Sequence, residues 1–143
     1  MKVVISSKDG KAYVVELPKE KESLLYGTTI GQAIDGSLIG AAGYKFKMTG
    51  GSDKYGFPMR PDVSGTGKKR IFLSDPPGFH PKRKGEKKRK MVRGNTISEI
   101  ISQVNLIVSE IGQTKLSDLF GRKEEKKEGE GKEEIPTKKQ SIK

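Results

Sequence analysis

The segment "ISEIISQVNLIVSEIG", residues 97–112, decides the fold class, because its apolar residues fit two incompatible patterns. The first pattern is the spacing of one face of a helix, which is fitted by Ile97, Ile100, Ile101, Val104, Val108 and Ile111. The second pattern is the alternation of apolar and other residues that is typical of a strand. Val104, Leu106 and Val108 fit it, in a segment rich in β-branched residues. Periodicity alone favours the helix, so these residues leave helix and strand open.

The segments before it favour strands. "KVVIS" (residues 2–6) and "AYVVEL" (12–17) are β-branched runs on either side of Asp9-Gly10, a pair typical of a hairpin turn. "YKFKM" (44–48) alternates apolar and charged residues, which predicts a half-buried strand. "RIFLS" (70–74) predicts a short strand.

Two short helical elements are also expected. One is a helical turn near residues 29–34, in a region with too many glycines for a long helix. The other is a short helix in "TKLSDLF" (114–120), with Thr114 as a candidate cap. With 31% apolar residues, 18 Gly and 7 Pro, the chain is expected to form one thin core with many turns.

Several function classes find no support in the residues. The chain has no Cys, which excludes a disulfide framework and a Cys-based metal site. No run of 18 apolar residues and no signal-like N-terminal segment occur, so no membrane partner is expected. The one histidine, His80, lacks a partner for a His-based metal site, and no acid–base pair has a recognisable catalytic spacing. "SGTGKKR" (64–70) fails the phosphate-loop pattern. We therefore expect no catalytic residue, metal, cofactor or small-molecule substrate.

The positive charge is concentrated in one part of the chain. The formal net charge is +11, and residues 54–93 carry thirteen Lys and Arg against three Asp and Glu. Within it, residues 82–93 hold eight Lys and Arg and one Glu. Such a run is typical of phosphate binding, because a polyanion supplies the missing countercharge. A solvated loop or a localisation signal is the alternative interpretation.

A second candidate is "GGSDKYGFPMR", residues 50–60. Its glycines permit close backbone approach, and Tyr55 and Phe57 are suited to stacking on unpaired bases. Equally, these rings could pack inward in an ordinary turn.

The two segments together resemble the ribosomal protein S6e family of archaea and eukaryotes. The resemblance lies in the string at residues 50–59, in the string Arg-x-Gly-Glu-x-Lys-Arg-Lys-x-Val-Arg-Gly at 83–94, and in the flanks "GYKFKMTGG" and "QVNLIV". It covers about residues 1–120. The chain lacks the Arg-rich serine motif that ends eukaryotic members, so it resembles the short archaeal form.

The resemblance implies a mostly β fold: a small β-barrel with short helical turns and long basic loops. It therefore favours a strand for residues 103–109, with a helical turn at 97–101. It also implies a non-enzymatic structural constituent of the small ribosomal subunit in the cytoplasm, whose partners are small-subunit rRNA and neighbouring ribosomal proteins. Residues 1–120 are then the rRNA-binding domain, which presents loops 50–70 and 78–95. Residues 121–143 are expected to form a disordered charged tail.

The expected rRNA contacts come from the matched strings and from the surrounding charge. The strings supply Lys54, Phe57, Arg83, Lys88, Arg89, Lys90 and Arg93. The remaining basic residues of the region are Arg60, Lys68, Lys69, Arg70, Lys82, Lys84 and Lys87. Two rivals stay open at this point: a nucleic-acid chaperone or architectural DNA-binding protein, and an enzyme acting on RNA.

Overall fold

The computed structural model describes residues 1–121, and strands dominate them. The strands, in chain order, are β1 (Lys2–Ser6), β2 (Ala12–Glu16), β3 (Ala33–Asp35), β4 (Lys45–Asp53), β5 (Lys68–Leu73), β6 (Lys88–Arg93) and β7 (Ile101–Glu110). Two short α-helices, α1 (Lys19–Glu22) and α2 (Leu116–Phe120), and two 3₁₀ turns (Ser23–Leu25 and Gly36–Leu38) complete the fold. The mostly β prediction is confirmed. The predicted tail, apart from Gly121, lies outside the described residues.

Five strands form the main sheet, in the order β2-β1-β7-β4-β3. The β1–β7 pairing is parallel and the other three pairings are antiparallel. β2 and β3 form the two edges and do not pair with each other, so the sheet stays open within residues 1–121. The barrel in the prediction is therefore not confirmed.

The segment that decides the fold is the central strand of this sheet. β7 pairs with β1 on one side and with β4 on the other, which excludes the helical interpretation. Residues 98–101 form a turn, in which the Ile101 amide donates to the Ser98 carbonyl at 3.1 Å, and not the predicted helical turn.

The pairing of β4 with β7 explains why the apolar spacing imitates a helix. Asp53 pairs with Ile101 but the preceding residue, Ser52, pairs with Gln103, so β7 carries one extra residue there. A bulge of this kind shifts the alternation by one position. Ile101 and Val104 are consequently both buried, although they are three residues apart.

The main core lies on one face of the sheet. It is formed by inward residues of three adjacent strands, which are fully or almost fully buried: Val3, Ile5, Phe46, Met48, Val104, Leu106 and Val108. Leu25 of the first 3₁₀ turn, Ile39 directly after the second and Leu116 of α2 belong to the same core.

The shorter predictions have mixed outcomes. The hairpin at 2–6 and 12–17 and the alternation of "YKFKM" are confirmed. The helical turn at 29–34 is wrong, because Gly31 has a φ of 91° and β3, which pairs with β4, begins at Ala33. The helix α2 forms, but its N-cap is Lys115 and no side chain caps it, so the Thr114 prediction is wrong.

Candidate nucleic-acid interface

Seven of the thirteen Lys and Arg residues at 54–93 lie in a second, two-stranded sheet, which we call the basic ribbon (β5 and β6). Lys68 of β5 lies opposite Arg93 of β6, and Leu73 lies opposite Lys88. The predicted loops are therefore shorter than expected: β4 takes residues 50–53, β5 begins at Lys68, and residues 88–93 of the second segment are strand. The error arose because charged residues conceal the strand pattern of "KRKMVR".

A small apolar cluster anchors the ribbon. It consists of Val63, Leu73, Phe79 and Val92, all buried, with Ile71 packed against them. Since opposite residues of paired strands share a face, Leu73 and Val92 define an inner face of the ribbon. The loops on either side of β5 supply Val63 and Phe79, so the ribbon and its loops share one small core.

The two faces of the ribbon carry different chemistry. The inner face holds Lys69, Ile71, Leu73, Lys88, Lys90 and Val92, and all its cations are lysines. The outer face holds Lys68, Arg70, Phe72, Arg89, Met91 and Arg93, and includes all three arginines of the ribbon.

Arg93 joins the ribbon to the main sheet. Its Nε donates to Oδ2 of Asp53, the last residue of β4, at 2.9 Å, and both side chains are buried. The other carboxylate oxygen of Asp53 accepts from the amides of Tyr55 and Phe57 at 2.8 and 2.9 Å. One buried carboxylate therefore shapes the loop after β4 and fixes it to the ribbon.

The environment of Asp53 keeps it ionised. Burial by itself would raise the pKa of its carboxyl group. The hydrogen bonds from Arg93, Phe57 and Tyr55 and the positive charge of Arg93 outweigh that effect, so the pKa lies below its ordinary value.

Arg60, whose side chain is buried, forms a second cross-link. Its guanidinium donates to Oδ2 of Asp62 through Nε at 3.2 Å and through Nη2 at 2.5 Å. Nη1 donates to the carbonyl oxygens of Asp75 and Pro77 at 3.1 and 2.8 Å. This arginine holds the loop that follows β5 against the segment that precedes it.

A third contact involves the aromatic residues of the loop after β4. Nζ of Lys68 lies 4.7 Å from the ring centroid of Phe57 and 5.4 Å from that of Tyr55. Cation–π attraction holds these groups together. Phe57 is half-buried there, whereas Tyr55 is 75% exposed.

The loop between β5 and β6 completes the basic surface. This loop has two acidic residues, Asp75 and Glu86. The Glu86 carboxylate accepts a hydrogen bond from the Lys82 amide at 2.8 Å and so closes a turn. A hollow of about 410 Å³ lies between this loop and β6, lined by His80, Lys82, Lys88 and Lys90 among others. The hollow therefore concentrates positive charge.

The structure thus divides the predicted contact residues into three groups. Ten are exposed: Lys54, Lys68, Lys69, Arg70, Lys82, Arg83, Lys84, Lys87, Lys88 and Arg89. Phe57 and Lys90 are half-buried. Arg60 and Arg93 are 5% and 6% exposed, and their guanidinium groups hold the loops together.

Sequence reasoning gave no site role to Phe72, which is 63% exposed on the outer face. The alternation of "RIFLS" contained the signal. If Ile71 and Leu73 face inward, Phe72 must face outward beside Arg70. Tyr55, weighed but left out of the contact set, is likewise more accessible than Phe57.

Residues 1–121 contain no group of three His, Cys, Asp or Glu side chains arranged to hold a metal ion. Within the same residues, neither helix approaches the length and apolarity that crossing a bilayer requires.

Known proteins resemble the chain over most of its length. The model of the family Ribosomal protein S6e matches residues 1–121. A protein of Methanocaldococcus jannaschii named small ribosomal subunit protein eS6 is 49% identical over 119 residues, which are 83% of this chain and 88% of the relative. The protein of the same name in Methanothermobacter thermautotrophicus is 48% identical over 124 residues, 87% of this chain and 98% of the relative. The one in Staphylothermus marinus is 52% identical over 98 residues, which are 68% of this chain but 45% of the relative.

Proposed function

The chain belongs to the ribosomal protein S6e family, and on this premise we propose that its basic ribbon and adjoining loops bind small-subunit rRNA. The relatives' names place those proteins in the small ribosomal subunit. We infer that this protein is likewise a structural, non-enzymatic constituent of the small subunit, in the cytoplasm. Its partners in this proposal are small-subunit rRNA and neighbouring ribosomal proteins.

One observation carries the proposal: apart from Arg93, the cations of the ribbon and of the loop between its strands have no acidic partner in the part of the chain that the structure describes. Among residues 1–121, no ion pair involves the Lys or Arg residues at 68–70 or 82–90. Like charges this dense repel one another unless a polyanion lies against them. Each phosphate neutralised releases counterions, which favours binding and makes it depend on salt.

The fold supports this interpretation by holding the cations in place. Arg93 ties the ribbon to the main sheet through Asp53, and Arg60 ties the loop after β5 to the segment before it through the carbonyl oxygens of Asp75 and Pro77. A preorganised surface loses less conformational entropy when it binds. Buried arginines thus position the exposed cations.

We expect recognition to depend mainly on the shape and backbone of folded rRNA. Most protein–nucleic-acid hydrogen bonds go to phosphate and sugar, and side chains cannot read the deep major groove of A-form RNA. The scattered lysines of the ribbon and loop suit phosphates, because each is a flexible point charge.

The test compares two triple variants. Lys88, Arg89 and Lys90 change together to Ala, and the control changes Lys8, Lys11 and Lys115, which are exposed and lie away from the ribbon. Filter binding to a small-subunit rRNA transcript is measured from low to high salt, with random-sequence duplex DNA as competitor.

The ribbon variant should bind the transcript more weakly, with a log–log salt slope reduced by about two to three. The control should change binding far less. Equal binding by the ribbon variant and the wild type would refute the proposal. Equal affinity of the wild type for rRNA and random DNA would favour a general nucleic-acid chaperone instead.

A further inference from the structure

The outer face of the basic ribbon presents an aromatic ring among cations. Phe72 is 63% exposed on β5. Arg89 lies directly opposite it on β6, and Arg70 lies two residues earlier on the same face. Removing a Phe side chain from water is favourable. Covering this ring with a ligand would recover part of that free energy.

Phe72 differs from the two aromatic residues nearest to the ribbon. The Lys68 ammonium lies over the rings of Tyr55 and Phe57, at the other end of the outer face. Within residues 1–121, no cation lies over the ring of Phe72. Lys68 and Phe72 are four residues apart on one strand, so the two aromatic sites are separated by about 13 Å.

The sorting of cations between the faces favours a planar ligand on the outer face. Arg70 and Arg89 flank Phe72 there, while lysines occupy the inner face. A guanidinium group is planar and stacks on aromatic surfaces, whereas an ammonium group acts as a point charge. The outer face therefore suits a flat, π-rich group joined to an anion.

We propose that Phe72, with Arg70 and Arg89, forms a stacking site for an unpaired RNA base. The inference rests on the proposed function and deepens it, because it names the RNA element that the outer face takes. A nucleotide brings both a base for the ring and a phosphate for the arginines. A neighbouring protein would have to bring apolar and acidic groups together, and the ribbon itself offers no acidic residue to pair with a basic protein.

The test uses two defined probes, a 12-nucleotide oligoadenylate and a 12-base-pair RNA duplex. Phe72→Leu should lower the affinity for oligoadenylate about 5- to 160-fold, the range expected for losing one stacked base. It should leave duplex affinity and the salt slope unchanged, because no charge is lost. Phe72→Tyr should bind as the wild type does. Val14→Ala is the control, since Val14 is 62% exposed on an edge strand of the main sheet.

A second variant separates this inference from the proposed function. Changing Lys69, Lys88 and Lys90 to Ala should weaken binding to both probes and reduce the salt slope. If that variant is weakened but Phe72→Leu binds both probes normally, or loses affinity for both equally, the stacking site is refuted and the ribbon remains an RNA-binding surface. If the lysine variant also binds as the wild type does, the proposed function fails.

Discussion

Arg93 and Asp53 form a buried ion pair between the end of the ribbon strand β6 and the end of β4, with Nε and Oδ2 2.9 Å apart. Both residues belong to strings that suggest RNA contact from sequence, yet neither side chain reaches the surface. The pair instead connects the main sheet to the surface that carries the charge. Its integrity therefore determines where the exposed cations lie.

Removing one partner of this pair should be costly. Arg93→Ala leaves the Asp53 carboxylate buried without its charged donor, and breaking such a pair costs about 3–5 kcal/mol. Urea unfolding followed by circular dichroism measures the loss. The control is Arg89→Ala on the same strand, which should stay within about 0.5 kcal/mol of the wild type because Arg89 is exposed. Equal stability of the two variants would contradict this role for Arg93.

The lowered pKa of Asp53 predicts a loss of stability in acid. A carboxyl whose folded pKa lies below its unfolded value, about 3.9, contributes stability in full above that value. The contribution disappears as the pH falls from there through the folded pKa. The free energy of unfolding should therefore drop below about pH 4.

Asp53→Asn tests the source of that drop. The variant should be less stable at neutral pH and should show a flatter dependence of unfolding free energy on pH. Asp35→Asn is the comparison, since hydrogen bonds from Ser37 also lower the pKa of Asp35. Asp35 is exposed, so its contribution should be smaller. An unchanged pH dependence in Asp53→Asn would show that other carboxyl groups cause the loss.

Gly94 permits a close backbone approach at the end of β6. A Cβ atom there would overlap the carbonyl oxygen of Gly65, and the Gly94 amide donates to the Gly67 carbonyl at 3.0 Å. Gly94→Ala should therefore destabilise the protein by about 1–3 kcal/mol, since backbone cannot yield easily.

Gly67→Ala is the matched control for Gly94→Ala. Gly67 has open space where a Cβ atom would lie and no positive φ, so this variant should fold as the wild type does. Thermal unfolding midpoints measure both. A wild-type midpoint for Gly94→Ala would mean that the loop at Gly65 is free to move away.

The sequence predicts part of this fold for clear physical reasons. The hairpin at its start and the alternation of Tyr44, Phe46 and Met48 were identified because local pattern and burial agree there. β7 stayed ambiguous because a bulge opposite Ser52 and Asp53 breaks its alternation, and a bulge depends on the partner strand. The sequence also could not predict that the sheet stays open, because strand pairing depends on residues far apart in the chain.

The candidate site shows the same division. The distribution of charge along the sequence was enough to locate the basic segment. It could not distinguish the surface cations from Arg60 and Arg93, because the partners of these two arginines lie in other parts of the chain. Phe72 was missed because its exposure depends on the apolar cluster beneath the ribbon.

The central claim is that folded rRNA supplies the countercharge of the ribbon, and a structure of the assembled small subunit tests it most directly. We expect most of the Lys and Arg side chains at residues 68–70 and 82–90 to lie within about 4 Å of phosphate oxygens. If these side chains instead point into solvent or contact only other proteins, the account is wrong.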